Sequence, residues 1–460
     1  VAKRDQLDEF GEMLRRAEVH DTRQPTEQLV PVDPVARRRR RRNGLIAGLL
    51  VVVLALGAAG GYAAITLNSS IGAAAATVHR PEVAVPAAAV LTLPPVGESA
   101  ISVSGADDYL GASASGILAS SGGDAPLPIA SISKLITALV VLDHKPLGAL
   151  GTGPTLTFDK TAHALYDKYY LLNATIAAMP TGSTMTEHDA IETMLVVSAC
   201  NYAEAVSTWA FGSQAAFLTA AKKWLAAHGM SSTRMVEPTG IDAHNVSTPS
   251  DMITLGKLAM ADPVIAEIVG KTSLDVPSLM GLPSTNDLLG TDGINGIKTG
   301  TLGEDSELLY SAVVNVGTPQ PLTIIGVVLG GDGRSAVDAA VRNLIDSLTA
   351  GFHSVALGED GQVVGTYTTP WGAKAKMVLG SSATVFTYSN TPITSTMTTT
   401  TLKTGTDGEK VGLVTWTAGK NTATAPVILR GTIKQPTAWW RLTHPKVTFH
   451  FGAFHLGGAS

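Results

Sequence analysis

The residues best placed to do chemistry are Ser131 and Lys134, in the run Pro128-Ile129-Ala130-Ser131-Ile132-Ser133-Lys134 that opens the apolar stretch Leu135-Ile136-Thr137-Ala138-Leu139-Val140. That stretch predicts a helix over 131–142. Near the start of a helix, residues three apart share a face, so a serine hydroxyl and a lysine amine can meet there. Unpaired N–H groups at a helix N-terminus favour developing negative charge. An amine takes up a proton only in its neutral form, which burial beside another cation favours. A hydroxyl in such a place is a nucleophile for acyl transfer. Taken alone, the spacing fits equally a serine N-cap followed by an exposed lysine, which is the commoner arrangement.

A second candidate is Lys298-Thr299-Gly300-Thr301. On a strand, Lys298 and Gly300 share one face while Thr299 and Thr301 share the other. A glycine there lets another backbone approach, as an edge strand must to bind an extended peptide. By itself it also reads as a turn-flanked surface strand. Between the two candidates lies Val197-Ser198-Ala199-Cys200-Asn201-Tyr202, inside a helix predicted over 187–209.

The elements that must position these residues belong to a globular stretch over 98–351, with strands predicted at 116–119, 309–316 and 322–329. Further helices are predicted at 214–228, 249–260 and 336–348. The last two strands flank a short turn at 317–320 and form an antiparallel hairpin, giving an α+β unit. From 352 to 443, alternating Val, Thr and aromatic residues predict a small all-β domain, with the threonines of 391–406 on exposed strand faces. Residues 444–460 form a tail with no assigned role.

Residues 44–67 carry no charge and match the roughly 20 apolar residues of a transmembrane helix. Arg37 to Arg42 stand immediately before it. The positive-inside bias then keeps the N-terminus cytoplasmic and sends the remainder outside, as a single-pass protein of the cell membrane. A cleavable signal peptide is the competing reading, disfavoured by the length and late start of the apolar run. Residues 1–43 read as a disordered cytoplasmic tail with one amphipathic turn around Leu7, Phe10 and Leu14. Residues 68–97 read as an Ala/Pro-rich spacer. The arginine run is a topology signal that touches anionic lipid rather than a nucleic-acid site.

A net charge of −5 over 460 residues argues against a generally basic, nucleic-acid-gripping surface. One cysteine, Cys200, excludes an internal disulfide and any multi-cysteine zinc site. His163, His188, His228 and His244 show no ligand-like spacing among themselves or with carboxylates, so no metal is expected. The Gly330–Gly333 run reads as a turn, lacking the lysine of a phosphate loop. Arg334 could add positive charge for a carboxylate.

The order of the three segments is more specific than any one of them. Ser-x-x-Lys, a second serine segment and Lys-Thr-Gly resemble the signature of penicillin-recognising serine enzymes. The phrases PIASISKLITALVVLD, VVSACNYAEA, PTGID and STNDLLGTDGINGIKTGT resemble D-alanyl-D-alanine carboxypeptidases, the low-molecular-weight penicillin-binding proteins, over about 101–347. The resemblance implies a β-lactamase/transpeptidase-like fold, an antiparallel sheet flanked by helices plus a helical subdomain, followed by a small all-β domain. It implies removal of the terminal D-alanine from peptidoglycan stem peptides through an acyl-enzyme, inhibition by β-lactam antibiotics, and no metal or organic cofactor.

Residue by residue, the resemblance makes Ser131 the nucleophile, Lys134 its general base and Ser198 a proton relay to the leaving amine. Lys298, Thr299, Gly300 and Thr301 would bind the substrate's terminal carboxylate, and the N–H groups of Ser131 and Thr301 would form the oxyanion hole. One departure stands out, since the third residue of the middle motif is Cys200 where the family has asparagine. On a continuous helix, Asn201 would point about 100 degrees away. The alternatives are a catalytically impaired wall-binding protein, in which this change has removed turnover, and a serine β-lactamase, against which stands the lack of a deacylating-glutamate loop signature between Ser198 and Lys298.

Overall fold

The computed structural model describes residues 34–148 and 151–448. The amphipathic turn expected at Leu7, Phe10 and Leu14 and residues 449–460 of the tail lie outside them. The described chain separates into two units, one of residues 34–73 with 435–448 and one of Ala74–Lys434.

In the first unit, α1 (Pro34–Asn68) is a single 35-residue helix. It is long and apolar enough to cross a membrane. Its start at Pro34 makes Arg37–Arg42 its opening turns. A short helix at Ala438–Thr443 joins its far end, where the Tyr62 hydroxyl donates to the Leu442 carbonyl at 2.6 Å and Arg441 donates to the Ser69 carbonyl.

The second unit begins with β1 (Ala75–Val78), β2 (Glu98–Ser104) and β3 (Ala119–Ser121). The helices that follow are α2 (Ser133–His144), α3 (Lys160–Leu171), α4 (Glu187–Val196), α5 (Cys200–Phe211), α6 (Gln214–Ala227) and α7 (Pro249–Ala261). Next come β4 (Ile294–Leu302), β5 (Asp305–Val314), β6 (Leu322–Asp332) and α8 (Arg334–Ala350). Helix starts match local chemistry: Asp159, Thr186, Ser213 and Thr248 each accept a backbone N–H at the N-termini of α3, α4, α6 and α7. Each such cap is worth about 1 kcal/mol.

Strands β2 to β6 form an antiparallel sheet in the order β3-β2-β6-β5-β4. One face packs on the helical core around Ile132, Ile136 and Val206. The other packs on α8 through Val337, Val341 and Leu344. The hairpin expected across 317–320 is β5–β6, in register from Val314 opposite Leu322.

The all-β region comprises β7 (Phe352–Gly358), β8 (Val363–Thr368), β9 (Lys374–Leu379), β10 (Ala383–Tyr388), β11 (Ile393–Thr399), β12 (Lys410–Ala418) and β13 (Asn421–Arg430). Six strands order as β1-β8-β9-β13-β12-β11 beside a β7–β10 pair, around Trp416, Tyr367 and Val414. Residues 75–78 thus leave the expected spacer and pair with β8, Ala75 opposite Thr368. The backbone of this short segment pairs with the otherwise open edge of β8 and satisfies its ladder hydrogen bonds.

Two expected helices differ at the places that matter. The helix expected from 131 begins at Ser133, preceded by a 3-10 turn over Ala130–Ile132. The helix expected over 187–209 breaks between Val196 and Cys200. Apolar periodicity continues through the break, so pattern alone could not show it.

Candidate active site

Ser131 sits in the middle of the tight 3-10 turn, half-buried, with Lys134 one turn further on and fully buried. The Lys134 amine lies 2.9 Å from the Ser131 hydroxyl and donates to the Thr239 carbonyl at 2.7 Å. Sequence reasoning brought out the first contact and missed the second. Thr239 is held by its own loop: the Glu237 carboxylate accepts from the N–H groups of Thr239 at 2.7 Å and Gly240 at 2.6 Å. Asn245 donates to the Glu237 carbonyl at 2.8 Å and to the Ser133 hydroxyl at 2.9 Å. Gly240, at φ 82°, lies so close to the nucleophile turn that an added Cβ would sit 1.7 Å from the Ala130 carbonyl oxygen. Only glycine meets both demands. The signal was in the phrase EPTGID, whose acid three residues before a glycine suits a folded loop.

Ala130 and Ser198 both occupy the left-handed region, at φ 43° and 65°. For non-glycine residues such backbone costs on the order of 1–3 kcal/mol, and it concentrates where function needs an odd geometry. At Ser198 it turns the chain between α4 and α5. The three residues after Ala199 then grip a neighbouring loop in succession. Cys200 N–H donates to Thr175 carbonyl at 2.8 Å, the Asn201 side chain bonds both the N–H and the carbonyl of Ala177, and Tyr202 donates to Ala178 carbonyl at 2.8 Å. Asn201 is therefore committed to residue 177 and does not stand in for the amide expected at position 200. Cys200 is a buried free thiol.

The third segment lies on β4, an edge strand. Lys298 and Gly300 share the face turned to the helices. Lys298 is 1% exposed, and burial, then the neighbouring Lys134 and Arg334, hold its amine well below the usual lysine range, while Cys200 acts in the opposite direction. Thr301 is exposed, with its hydroxyl donating to the Gly300 carbonyl at 2.8 Å.

The residue that joins the segments is Thr285, which the sequence reading did not single out. Its N–H donates to the Val196 carbonyl at 3.1 Å, two residues before Ser198. Its hydroxyl lies 2.7 Å from that of Thr299 and accepts from the Lys298 amine at 3.5 Å. Arg334 donates to its carbonyl, so this arginine reaches the same cluster. Lys134 thus meets Ser131 directly and lies within electrostatic reach of Lys298, while Thr285 bonds Lys298, Thr299 and the Val196 carbonyl at the end of α4, two residues before Ser198.

The histidine expectation needs a correction. His188, Asp189 and Glu192 bring potential metal-ligating atoms within 4.8 Å of one another, because i, i+4 spacing on α4 places His188 beside Glu192. Lys271 already meets that charge, at 2.8 Å from Glu192 and 3.2 Å from Glu267.

The sequence pattern of the D-alanyl-D-alanine carboxypeptidase family matches residues 109–333. A D-alanyl-D-alanine endopeptidase of Pseudomonas aeruginosa is 29% identical over 216 residues, covering 45% of this chain and 66% of that protein. An Escherichia coli protein of the same name is 30% identical over 141 residues, 31% of this chain and 42% of that protein. The matches thus span less than two thirds of either relative. Among solved structures, penicillin binding protein 5 from Haemophilus influenzae shares the fold with a TM-score of 0.50 at 18% identity, over 75% of this chain and 98% of that one. Penicillin binding protein 6B from Escherichia coli does so with a TM-score of 0.50 at 19% identity, over 72% and 94%. All three segments thus lie within residues 109–333, the stretch that the D-alanyl-D-alanine carboxypeptidase pattern matches.

Proposed function

We propose that the chain is a membrane-anchored serine D,D-peptidase of the cell wall, which removes the terminal D-alanine from peptidoglycan stem peptides through an acyl-enzyme on Ser131. The observation that carries this reading is the 2.9 Å approach of the buried Lys134 amine to the Ser131 hydroxyl. In the reaction, the Ser131 Oγ attacks the carbonyl carbon of the D-alanyl-D-alanine bond as its proton passes to Lys134. The N–H groups of Ser131 and Thr301 receive the oxyanion, a form of stabilisation that typically supplies about 3–4 kcal/mol per donor. Ser198 relays the proton to the leaving amine, the C–N bond breaks and D-alanine departs. Water then cleaves the ester and restores the serine.

Lys298, Thr299, Gly300 and Thr301 take the substrate's terminal carboxylate, with Arg334 adding charge behind them. A bound carboxylate raises the proton affinity of Lys298, whose amine burial and the neighbouring Lys134 and Arg334 hold low, so substrate itself charges the lysine that grips it. β-Lactam antibiotics would acylate the same hydroxyl. Helix α1 anchors the chain, with its arginine end cytoplasmic and the peptidase domain outside.

An endopeptidase acting on cross-links is the second reading, favoured by the names of the two curated relatives. Incubation with a pentapeptide and with a cross-linked dimer separates them. Free D-alanine from the pentapeptide supports the carboxypeptidase, cleavage of the dimer alone supports the endopeptidase, and neither product overturns both.

A further inference from the structure

One buried acid beside this site has no part in the scheme above. Glu307 on β5 stands opposite Gly300 in the β4–β5 ladder, so its side chain lies on the same sheet face as Lys298 and Gly300. It is 2% exposed, and its Oε2 has no hydrogen-bond partner among the described residues. An added Cβ on Gly300 would lie 2.7 Å from that Oε2 and 3.0 Å from the Ala130 Cβ. The carboxyl and the Ala130 side chain therefore both crowd the space over Gly300, and glycine at position 300 is what leaves room for them.

These two neighbours are not arbitrary. Ala130 supplies the carbonyl half of the peptide unit that carries the Ser131 N–H, and Gly300 supplies that half for the Thr301 N–H. Both donors of the oxyanion hole proposed above belong to peptide units whose first residues touch or face Glu307. A carboxylic acid wedged there sets the separation of the two units. Ionised, it would put a negative charge behind the place where the oxyanion forms, opposing the step the hole assists.

We propose that Glu307 is a positioning residue of the oxyanion hole, active as the neutral acid and inhibitory as the carboxylate. The inference rests on the function proposed for Ser131 and Thr301. Burial, and secondarily Asp305 on its own strand, push the carboxyl up to about 8. The other titratable residues on elements around it are Lys298 on β4, Asp332 on β6, Lys134 at the near end and Asp143 and His144 at the far end of α2, and Asp251 and Lys257 on α7; the turn at 130–132 carries none. Asp251 accepts from Ser232 N–H at 3.0 Å and Lys257 donates to the Ser115 carbonyl at 2.6 Å, so both are engaged elsewhere. Helix α8, with Arg334 and Asp338, lies on the opposite face of the sheet.

The test is the pH profile of penicillin acylation of Ser131 in the full chain, followed by intact mass for the wild type, Glu307→Gln and Glu307→Asp. Between pH 7 and 9.5 the wild-type rate should fall roughly 30-fold, the drop in neutral fraction for an acid near 8. Glu307→Gln, an amide that cannot ionise, should acylate at a reduced rate whose fall over the same range is under about threefold. Glu307→Asp should keep the alkaline fall. A wild-type chain that acylates with no alkaline fall, or a Glu307→Gln variant whose rate falls as steeply as the wild type's between pH 7 and 9.5, would overturn this proposal alone. A wild-type chain that never acylates would overturn it together with the function it rests on.

Discussion

The Asn201 side chain donates to the Ala177 carbonyl at 2.8 Å and accepts the Ala177 N–H at 3.2 Å, closing a two-bond clamp one residue beyond Cys200. An asparagine that sequence alone would move into the catalytic cluster is instead a strut. It fixes the loop at 174–179 against the start of α5, and with it the left-handed turn that presents Ser198. Asn201→Ala should leave the Ala177 N–H and carbonyl buried and unpaired, costing about 1–3 kcal/mol. Urea unfolding should show that loss, with penicillin acylation reduced in the folded protein. An unchanged midpoint would contradict the strut.

Cys200 stands where the family has an amide, and it is buried within electrostatic reach of Lys298. Cys200→Asn should raise the rate of acylation of Ser131 by on the order of tenfold, as one added hydrogen-bond donor near a reacting carbonyl does. Cys200→Ala should stay within about threefold of wild type, because a buried thiol in a helix is packing rather than a nucleophile. Stopped-flow acylation by a fluorescent penicillin reads both. Loss of the adduct in Cys200→Ala would assign the thiol a direct part in the reaction.

Thr285 joins the second and third segments through one hydroxyl and one N–H. Thr285→Val keeps the shape and the backbone bond to Val196 but removes the partner of the Thr299 and Lys298 side chains. Carboxylate capture should suffer more than chemistry, so KM for a pentapeptide should rise roughly tenfold, about 1.4 kcal/mol, with kcat less affected. Equal loss in kcat with KM unchanged would place Thr285 in the chemical step instead.

Glu187 at the start of α4 is fully buried, and neither carboxylate oxygen has a hydrogen-bond partner among the described residues. Burial raises its carboxyl to about 7 despite the opposing charge of Lys145. A folded-state value above the unfolded one means the native protein binds the extra proton. The contribution of Glu187 to stability is therefore greatest below the ordinary carboxylate range and declines as pH rises from about 4.5 to 7, levelling off above that. Glu187→Gln should remove this decline and stabilise the protein at pH 8 by on the order of 2 kcal/mol. Thermal unfolding at pH 5 and 8 checks it, and an identical pH dependence in the two proteins would contradict it.

Much of the site was legible because its residues sit at starts and edges of regular elements, where sequence carries strong signals. The spacing of Ser131 and Lys134 before an apolar run and the alternation of Lys298-Thr299-Gly300 made them candidates, and their order along the chain set them apart from a capped helix and a surface strand. The β5–β6 hairpin was equally plain from its turn. What sequence did not carry are contacts made by backbone carbonyls and by remote loops. The Thr239 carbonyl that holds Lys134, and the bonds that converge on Thr285, depend on how two loops meet. The break at Val197–Ala199 stayed hidden because apolar residues continue on both sides and Ser198 itself supplies the left-handed turn. Pairing of 75–78 with β8 depends on an open edge almost 300 residues away, which local composition does not record.

The account depends most on Ser131 becoming an ester with Lys134 as its base. Incubation of the full chain with benzylpenicillin, followed by intact mass and peptide mapping, measures that directly. One covalent adduct on Ser131, absent in Ser131→Ala and slowed at least about 100-fold in Lys134→Ala, is the predicted result. An adduct on another residue, or one that forms as fast without the Lys134 amine, would contradict it.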